Sequence, residues 1–167
     1  MEYSYALSDE KLAKRAEAVL RKLCARNLKL ATAESCTGGL VAALMTDIEG
    51  VSHAFECGFV TYTDTAKHVF LGIDREMLDA CGAVSEPVAR AMAEGAMART
   101  RADVSVSTTG FAGPGGEGDE EGLVHFGLAR LGQNTVHRVK SFGAIGREPV
   151  RQRSLETVLD MLEETLA

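Results

Sequence analysis

Apolar and polar positions along this chain switch between two periods, and the switches divide it into helices and strands. Leu12, Ala16, Val19, Leu20 and Leu23 recur at helical spacing, so a first helix is expected there. Ser8 can cap it, Asp9 and Glu10 suit its first turn, and Asn27 can end it. Met1 to Leu7 has no such period and reads as a loose arm. Leu28 to Ala33 is an apolar run of strand length, after which Leu40, Val41, Leu44 and Met45 restore the helical period over Thr37 to Asp47. Gly50 marks the loop beyond. Phe55 to Tyr62 is aromatic and β-branched enough for a second strand, and Thr63 or Asp64 can cap a short helix that runs through Leu71 and stops at Gly72.

Arg75 to Cys81 reads as another short helix ending at Gly82, and Ser85 with Pro87 just inside starts a longer one to about Thr100. Ala89, Ala93 and Ala96 make that helix a close-packing one. Val104 to Gly110 is a third strand that runs into the glycine-rich stretch FAGPGGEGDEEG. Val124 to Leu131 and Thr135 to Phe142, separated by Gly132, Gln133 and Asn134, form a hairpin, so one of those strands runs antiparallel to the rest. Gly146 to Ala167 closes the chain as a helix, with Pro149 in its first turn and Val150, Leu155, Val158, Leu159, Leu162 and Leu166 on one face. This order predicts one domain over residues 1–167, a three-layer α/β/α sandwich on a mixed sheet.

A chain of 167 residues can bury a core without disulfides or a structural metal. Eighteen Lys and Arg against 24 Asp and Glu give a formal charge of −6 with no long basic block, which disfavours nucleic acid as a partner. Cys24, Cys36, Cys57 and Cys81 contain no CxxC pair, and no membrane-length apolar run or signal peptide is seen. Reduced thiols in a cytoplasm, away from membranes, are therefore expected. His53, His68, His125 and His137 lack ligand-like spacing, so no metal site is expected.

Chemistry is expected in the turn after the first strand, because an open α/β sheet binds ligands at the carboxyl ends of its strands. Glu34, Ser35, Cys36 and Thr37 occupy that turn, Gly38 and Gly39 permit close approach to the backbone, and the next helix start offers unpaired N–H groups. Two nucleophiles are thus available, although an ordinary Ser or Thr N-cap gives the same local pattern. Tyr62 and Lys67 could reach the same crevice. A lysine near a helix N-terminus opposes the macrodipole, and burial disfavours its charge, so its pKa should fall toward that of a general base. The TTGFAGPGG segment, Thr108 to Gly116, can turn N–H groups toward an anion or carboxamide, but it matches neither a P-loop nor a dinucleotide fingerprint. Arg147 and Arg151, one turn apart at the start of the last helix, would be explained by a bound phosphate, or by surface ion pairs.

The motifs TAESCTGGL, GFVTYTDTAKHVFLGI, GAVSEPVARAMAEGA and TGFAGPGG followed by GLVHFGLA, in that order, closely resemble the carboxy-terminal domain of the competence/damage-inducible protein CinA. That family also occurs as a stand-alone nicotinamide-nucleotide amidase. The resemblance covers nearly the whole chain. It implies a five-stranded mixed sheet and an amidohydrolase that converts nicotinamide mononucleotide to nicotinic acid mononucleotide and ammonia, with no metal or organic cofactor. It implies Ser35, Tyr62 and Lys67 as the catalytic set. Substrate contacts are expected from Glu34, Cys36, Thr37, Gly38, Gly39, Thr109, Gly110, Ala112, Gly113, Arg147 and Arg151, and a homodimer is expected.

Related chains commonly carry a Lys-Pro-Val type segment where this one has Gly118, Asp119, Glu120 and Glu121, so no lysine contact is expected from that loop. Larger relatives carry an amino-terminal nucleotide-processing domain, whose activity is expected to be absent here. Lys67, directly or through Tyr62, would take the Ser35 proton, and backbone N–H groups from Cys36 to Gly39 would hold the oxyanion. Two alternatives stay open on sequence: a thiol amidase using Cys36, and a non-catalytic nucleotide-binding module acting in competence or damage responses.

Overall fold

The computed structural model describes residues 9–167; the arm over residues 1–7 and the cap expected at Ser8 lie outside them. Helix α1 is Glu10–Ala25, capped by the Asp9 carboxylate, which accepts from the N–H groups of Lys11 and Leu12. The strands are β1 (Leu30–Glu34), β2 (Phe55–Val60), β3 (Val104–Gly110), β4 (Leu123–Arg130) and β5 (Val136–Ser141). They form one sheet in the order β2-β1-β3-β4-β5. β1 pairs parallel with β2 and β3, while β4 is antiparallel to β3 and to β5. The one antiparallel strand is therefore β4. β1 is buried throughout, whereas β2 and β5 at the sheet edges are partly exposed.

Helices α2 (Leu40–Thr46), α3 (Asp64–Leu71), α4 (Arg75–Cys81), α5 (Glu86–Ala98) and α6 (Arg147–Thr165) complete the α/β/α sandwich. On one face, Leu30, Val104, Val106, Phe126 and Leu128 pack against α1, α2 and α6. On the other, Ala31 and Ala33 meet Leu71, Leu78, Val88 and Met92 from α3, α4 and α5. The alternation in VSVSTTG explains how α5 seats so closely. Ser105 and Ser107 face it and donate hydrogen bonds to the carbonyls of Ala93 and Ala89 at 2.5 and 2.6 Å, and Thr109 donates to the Ala83 carbonyl in the segment before it at 2.7 Å. Gly127 leaves room for the backbone of α5 at Ala89, where a side chain would clash.

Several boundaries differ from the sequence reading by one to three residues, and two of them, with one cap, have a clear local reason. α2 begins at Leu40 and not Thr37, because Gly38 and Gly39 both take left-handed conformations, with φ of 62° and 94°. β2 ends at Val60 and not Tyr62; the Thr61 N–H still bonds the Glu34 carbonyl at 2.8 Å, and the chain then turns into the Thr63 cap of α3. Ser85 precedes α5 but makes no capping bond, since its hydroxyl donates to the Gly82 carbonyl instead. No helix among the described residues is long and apolar enough to cross a membrane.

Candidate active site

The carboxyl ends of β1, β2 and β3 meet at Ser35. Its N–H donates to the Thr108 carbonyl at 2.9 Å, and the Thr61 N–H holds the preceding carbonyl, so the turn leaves β1 clamped from both sides. Lys67, in α3, reaches across with only 1 % of its surface exposed. Its Nζ lies 3.2 Å from Ser35 Oγ, 3.1 Å from the Thr61 carbonyl and 3.3 Å from the Tyr62 carbonyl. Burial holds Lys67 below the ordinary lysine value, against the opposing pull of Asp64 and Cys36. The depression expected from the sequence is present. Its leading cause is desolvation, with an acidic residue, Asp64, in the first turn of α3.

Tyr62 reaches this cluster through its backbone. Its carbonyl binds Lys67, while the residue is 61 % exposed at the crevice rim. Cys36 faces the opposite layer, packed with Val41, Ala112 and Val150 in the core at 4 % exposure. Burial pushes its thiol up to about 11, with the Glu34 charge adding and Thr108 and Arg147 opposing. The thiol-lowering helix start considered from sequence does not operate, because α2 begins four residues later.

Glu34 is itself buried. Its Oε2 accepts from Thr37 Oγ1 at 2.7 Å and from the N–H groups of Gly39 and Val41 at 3.1 and 3.0 Å; its Oε1 accepts from the Ala42 N–H at 2.8 Å. Its carboxylate thus fills the start of α2. Thr37 Oγ1 also lies 2.7 Å from Thr108 Oγ1, and the Gly38 N–H donates to the Ser35 carbonyl at 3.1 Å. Of the four amides from Cys36 to Gly39, those of Cys36 and Thr37 have no acceptor among the described residues.

The other expected contacts divide. Arg151 donates through Nε and Nη2 to the Thr37 carbonyl at 3.3 and 2.7 Å, and a side chain at Gly38 would meet its guanidinium. Arg147 is exposed, with its Cβ beside Gly113. Neither arginine forms an ion pair among the described residues. Thr109 spends its hydroxyl on Ala83, Gly110 makes space for the neighbouring strand, where a Cβ would lie 2.5 Å from the Leu123 carbonyl, and Ala112 is core. Each of these three thus has a structural role among the described residues. The acidic loop folds on itself: Asp119 accepts from the Gly116 N–H at 2.7 Å, and Glu120 accepts from the Ser141 hydroxyl.

One cluster escaped the sequence reading. His125 Nδ1 lies 3.0 Å from His137 Nε2, and His137 Nδ1 lies 3.4 Å from Glu86 Oε2 at the start of α5. The two histidines are 12 residues apart and meet through the β4–β5 register, which pairs Gly127 with His137 and His125 with Val139. Only the hairpin pairing could have signalled it. Among the described residues no three His, Cys, Asp or Glu side chains converge as metal ligands.

The fold and this cluster define an α/β/α protein with a buried lysine on a serine at the carboxyl ends of its parallel strands. The family model for the CinA C-terminal domain matches residues 12–166, and the chain belongs to that family. It is 42 % identical over 167 residues to a putative competence-damage inducible protein of Caldanaerobacter subterraneus subsp. tengcongensis, covering 99 % of this chain and 39 % of that one. It is 49 % identical over 162 residues to a CinA-like protein of Chlorobium limicola, covering 94 % and 37 %. The chain thus spans under two fifths of the length of these relatives. Among solved structures, the competence/damage inducible protein CihA from Agrobacterium tumefaciens superposes with a TM-score of 0.88 at 41 % identity, covering 92 % of this chain and 94 % of that one. A CinA superfamily protein from Escherichia coli superposes at 0.87 with 37 % identity, covering 92 % and 90 %.

Proposed function

We propose that this chain is an amidohydrolase that converts nicotinamide mononucleotide to nicotinic acid mononucleotide and ammonia, with Ser35 as nucleophile and Lys67 as base. The observation that carries the reading is the 3.2 Å approach of Lys67 Nζ to Ser35 Oγ in a buried setting. A neutral amine has two N–H groups and one lone pair. The carbonyls of Thr61 and Tyr62 can take both N–H groups, which leaves the lone pair for the Ser35 hydroxyl proton.

Ser35 Oγ then attacks the carboxamide carbon as its proton passes to Lys67. The Oγ–C bond forms, the C–N bond breaks, and the amine leaves with the proton from Lys67 as ammonia. Water, deprotonated by the same base, cleaves the ester and releases the carboxylic acid. The free N–H groups of Cys36 and Thr37 would hold the oxyanion. The direct lysine contact makes a relay through Tyr62 unnecessary; its exposed ring would instead flank the pyridine at the crevice rim. Arg147 and Arg151 would take the phosphate, and Gly113 would leave room for the ribose. The reaction is a hydrolysis with no redox step, so no cofactor is invoked.

A cytoplasmic setting agrees with four free cysteines. A homodimer is part of the same reading, since Val60, Tyr62, Val69 and Phe70 expose apolar side chains beside the site. Sedimentation velocity tests it. The deciding experiment for function is ammonia release from nicotinamide mononucleotide by the purified chain, with nicotinic acid mononucleotide formed in equal amount. Tight mononucleotide binding without ammonia would favour the non-catalytic module.

A further inference from the structure

We infer that Glu34 is a positioning residue that decides which backbone amides face the reacting carbon; the inference rests on Ser35 as nucleophile. A buried carboxylate is tolerated only where donors replace its lost hydration. Among the described residues no cation does so. Both carboxylate oxygens are instead met by the first amides of α2 and the Thr37 hydroxyl, while the residue is 1 % exposed.

This arrangement has two consequences for the neighbouring residue. The N–H groups of Gly39, Val41 and Ala42, which would otherwise attract an anion to the helix start, are taken, so the oxyanion is left to the Cys36 and Thr37 amides. Those two amides are also fixed in place. Glu34 precedes Ser35 in the chain, the Gly38 N–H returns to the Ser35 carbonyl, and Thr37 is tied at both its hydroxyl and its carbonyl, by Glu34 and Arg151. The same negative charge also disfavours a thiolate at Cys36, which adds to the selection of the hydroxyl over the thiol. Substituting Glu34 by glutamine keeps its shape but turns a donor toward amides that need an acceptor.

The test is labelling of Ser35 by a fluorophosphonate, followed by intact mass, in wild type and Glu34→Gln. The probe forms an Oγ–P bond and breaks its P–F bond; fluoride leaves, and the serine proton passes to Lys67. Its phosphoryl oxygen needs the same amides as the carboxamide oxygen. Glu34→Gln should label about 100-fold more slowly, the effect of removing an oxyanion donor. In ammonia release kcat should fall in parallel, with KM within twofold of wild type. Labelling within threefold of wild type overturns the inference, and so does a raised KM at unchanged kcat, which would make Glu34 a substrate contact. If Glu34→Gln does not fold, Thr37→Val keeps both amides and removes one donor from the carboxylate; it should label about tenfold more slowly, and an unchanged rate overturns the inference. Labelling needs no mononucleotide. A wild-type protein that labels at Ser35 yet releases no ammonia therefore sinks the substrate reading alone, and the ratio of labelling rates still decides Glu34. A wild type that releases ammonia but does not label at Ser35 overturns the inference alone, and one that does neither overturns both.

Discussion

Lys67 and Ser35 meet side chain to side chain across 3.2 Å, although 32 residues separate them in the chain and the lysine is almost wholly enclosed. Because burial lowers the lysine pKa, the neutral base is reached at a lower pH than for a free lysine. The sign follows from the role: kcat/KM should rise with pH through the depressed lysine pKa and level off above it. Lys67→Met should lower turnover at least about 1,000-fold and abolish that rise, with native circular dichroism. A folded Lys67→Met protein within about tenfold of wild type would remove Lys67 as the base.

Ser35→Ala should be inactive and Cys36→Ala active. A cysteine is the stronger nucleophile in general, but only as a thiolate, and a thiol held near 11 supplies almost none at neutral pH. The cost of Cys36→Ala should appear as stability, about 1 kcal/mol for a buried side chain losing its sulfur, read as a fall in Tm of a few degrees. Ammonia release by both variants checks the assignment. An active Ser35→Ala beside a folded, dead Cys36→Ala would make this a thiol enzyme.

The layers and the mixed character of the sheet were legible in the sequence wherever periodicity is local. Val104 and Val106 alternate with Ser105 and Ser107 in print as they do across the sheet, and the α1 stripe at Leu12, Ala16, Val19, Leu20 and Leu23 is the buried face. The serines' own purpose was hidden, because the carbonyls they bind at Ala89 and Ala93 lie in another element. The site was legible as a place and only in part as a mechanism. Ser35 and Lys67 could be nominated from their positions after strands, but the enclosure that lowers the lysine pKa comes from tertiary packing. What Glu34 holds was hidden for the same reason: the Gly38–Gly39 turn brings Val41 and Ala42 back onto it, and adjacent glycines before a helix were the one available hint.

Arg147 and Arg151 should separate by kinetics. Arg147 is exposed and makes no hydrogen bond among the described residues, so Arg147→Ala should raise KM for nicotinamide mononucleotide about tenfold or more, with kcat unchanged and nicotinamide riboside unaffected. Arg151 also holds the Thr37 carbonyl, beside a proposed oxyanion amide. Arg151→Ala should therefore lower kcat as well, and for both substrates. Equal effects of the two variants on mononucleotide and riboside would exclude a phosphate role.

The His125–His137 pair predicts a stability change in a pH window of its own. Burial holds both imidazoles below their ordinary value; for His125 its neighbour adds to the effect, and Glu86 opposes it at both rings. The neutral state fits the geometry. His137 can donate from Nδ1 to Glu86 and accept at Nε2 from His125 Nδ1–H, and the charges that face the pair from α5 are Glu86 and Arg90. Protonating either ring leaves two donors competing along that chain unless the neighbouring proton moves. A histidine whose folded pKa lies below its unfolded value stabilises the protein fully above the unfolded value, near 6.5, and loses that contribution as pH falls through the folded value. The carboxylates held low by arginine or lysine, Glu56, Glu86 and Glu163, lose theirs only below the usual carboxylate range near 4.5. Between these limits the pair is therefore isolated. Tm should fall as pH goes from 7.5 to 5.5, and His125→Phe should flatten that fall by removing one titrating ring and its neighbour's competing charge. A wild-type Tm that is level across the window, or a His125→Phe curve parallel to it, would show that the pair titrates as free histidines do.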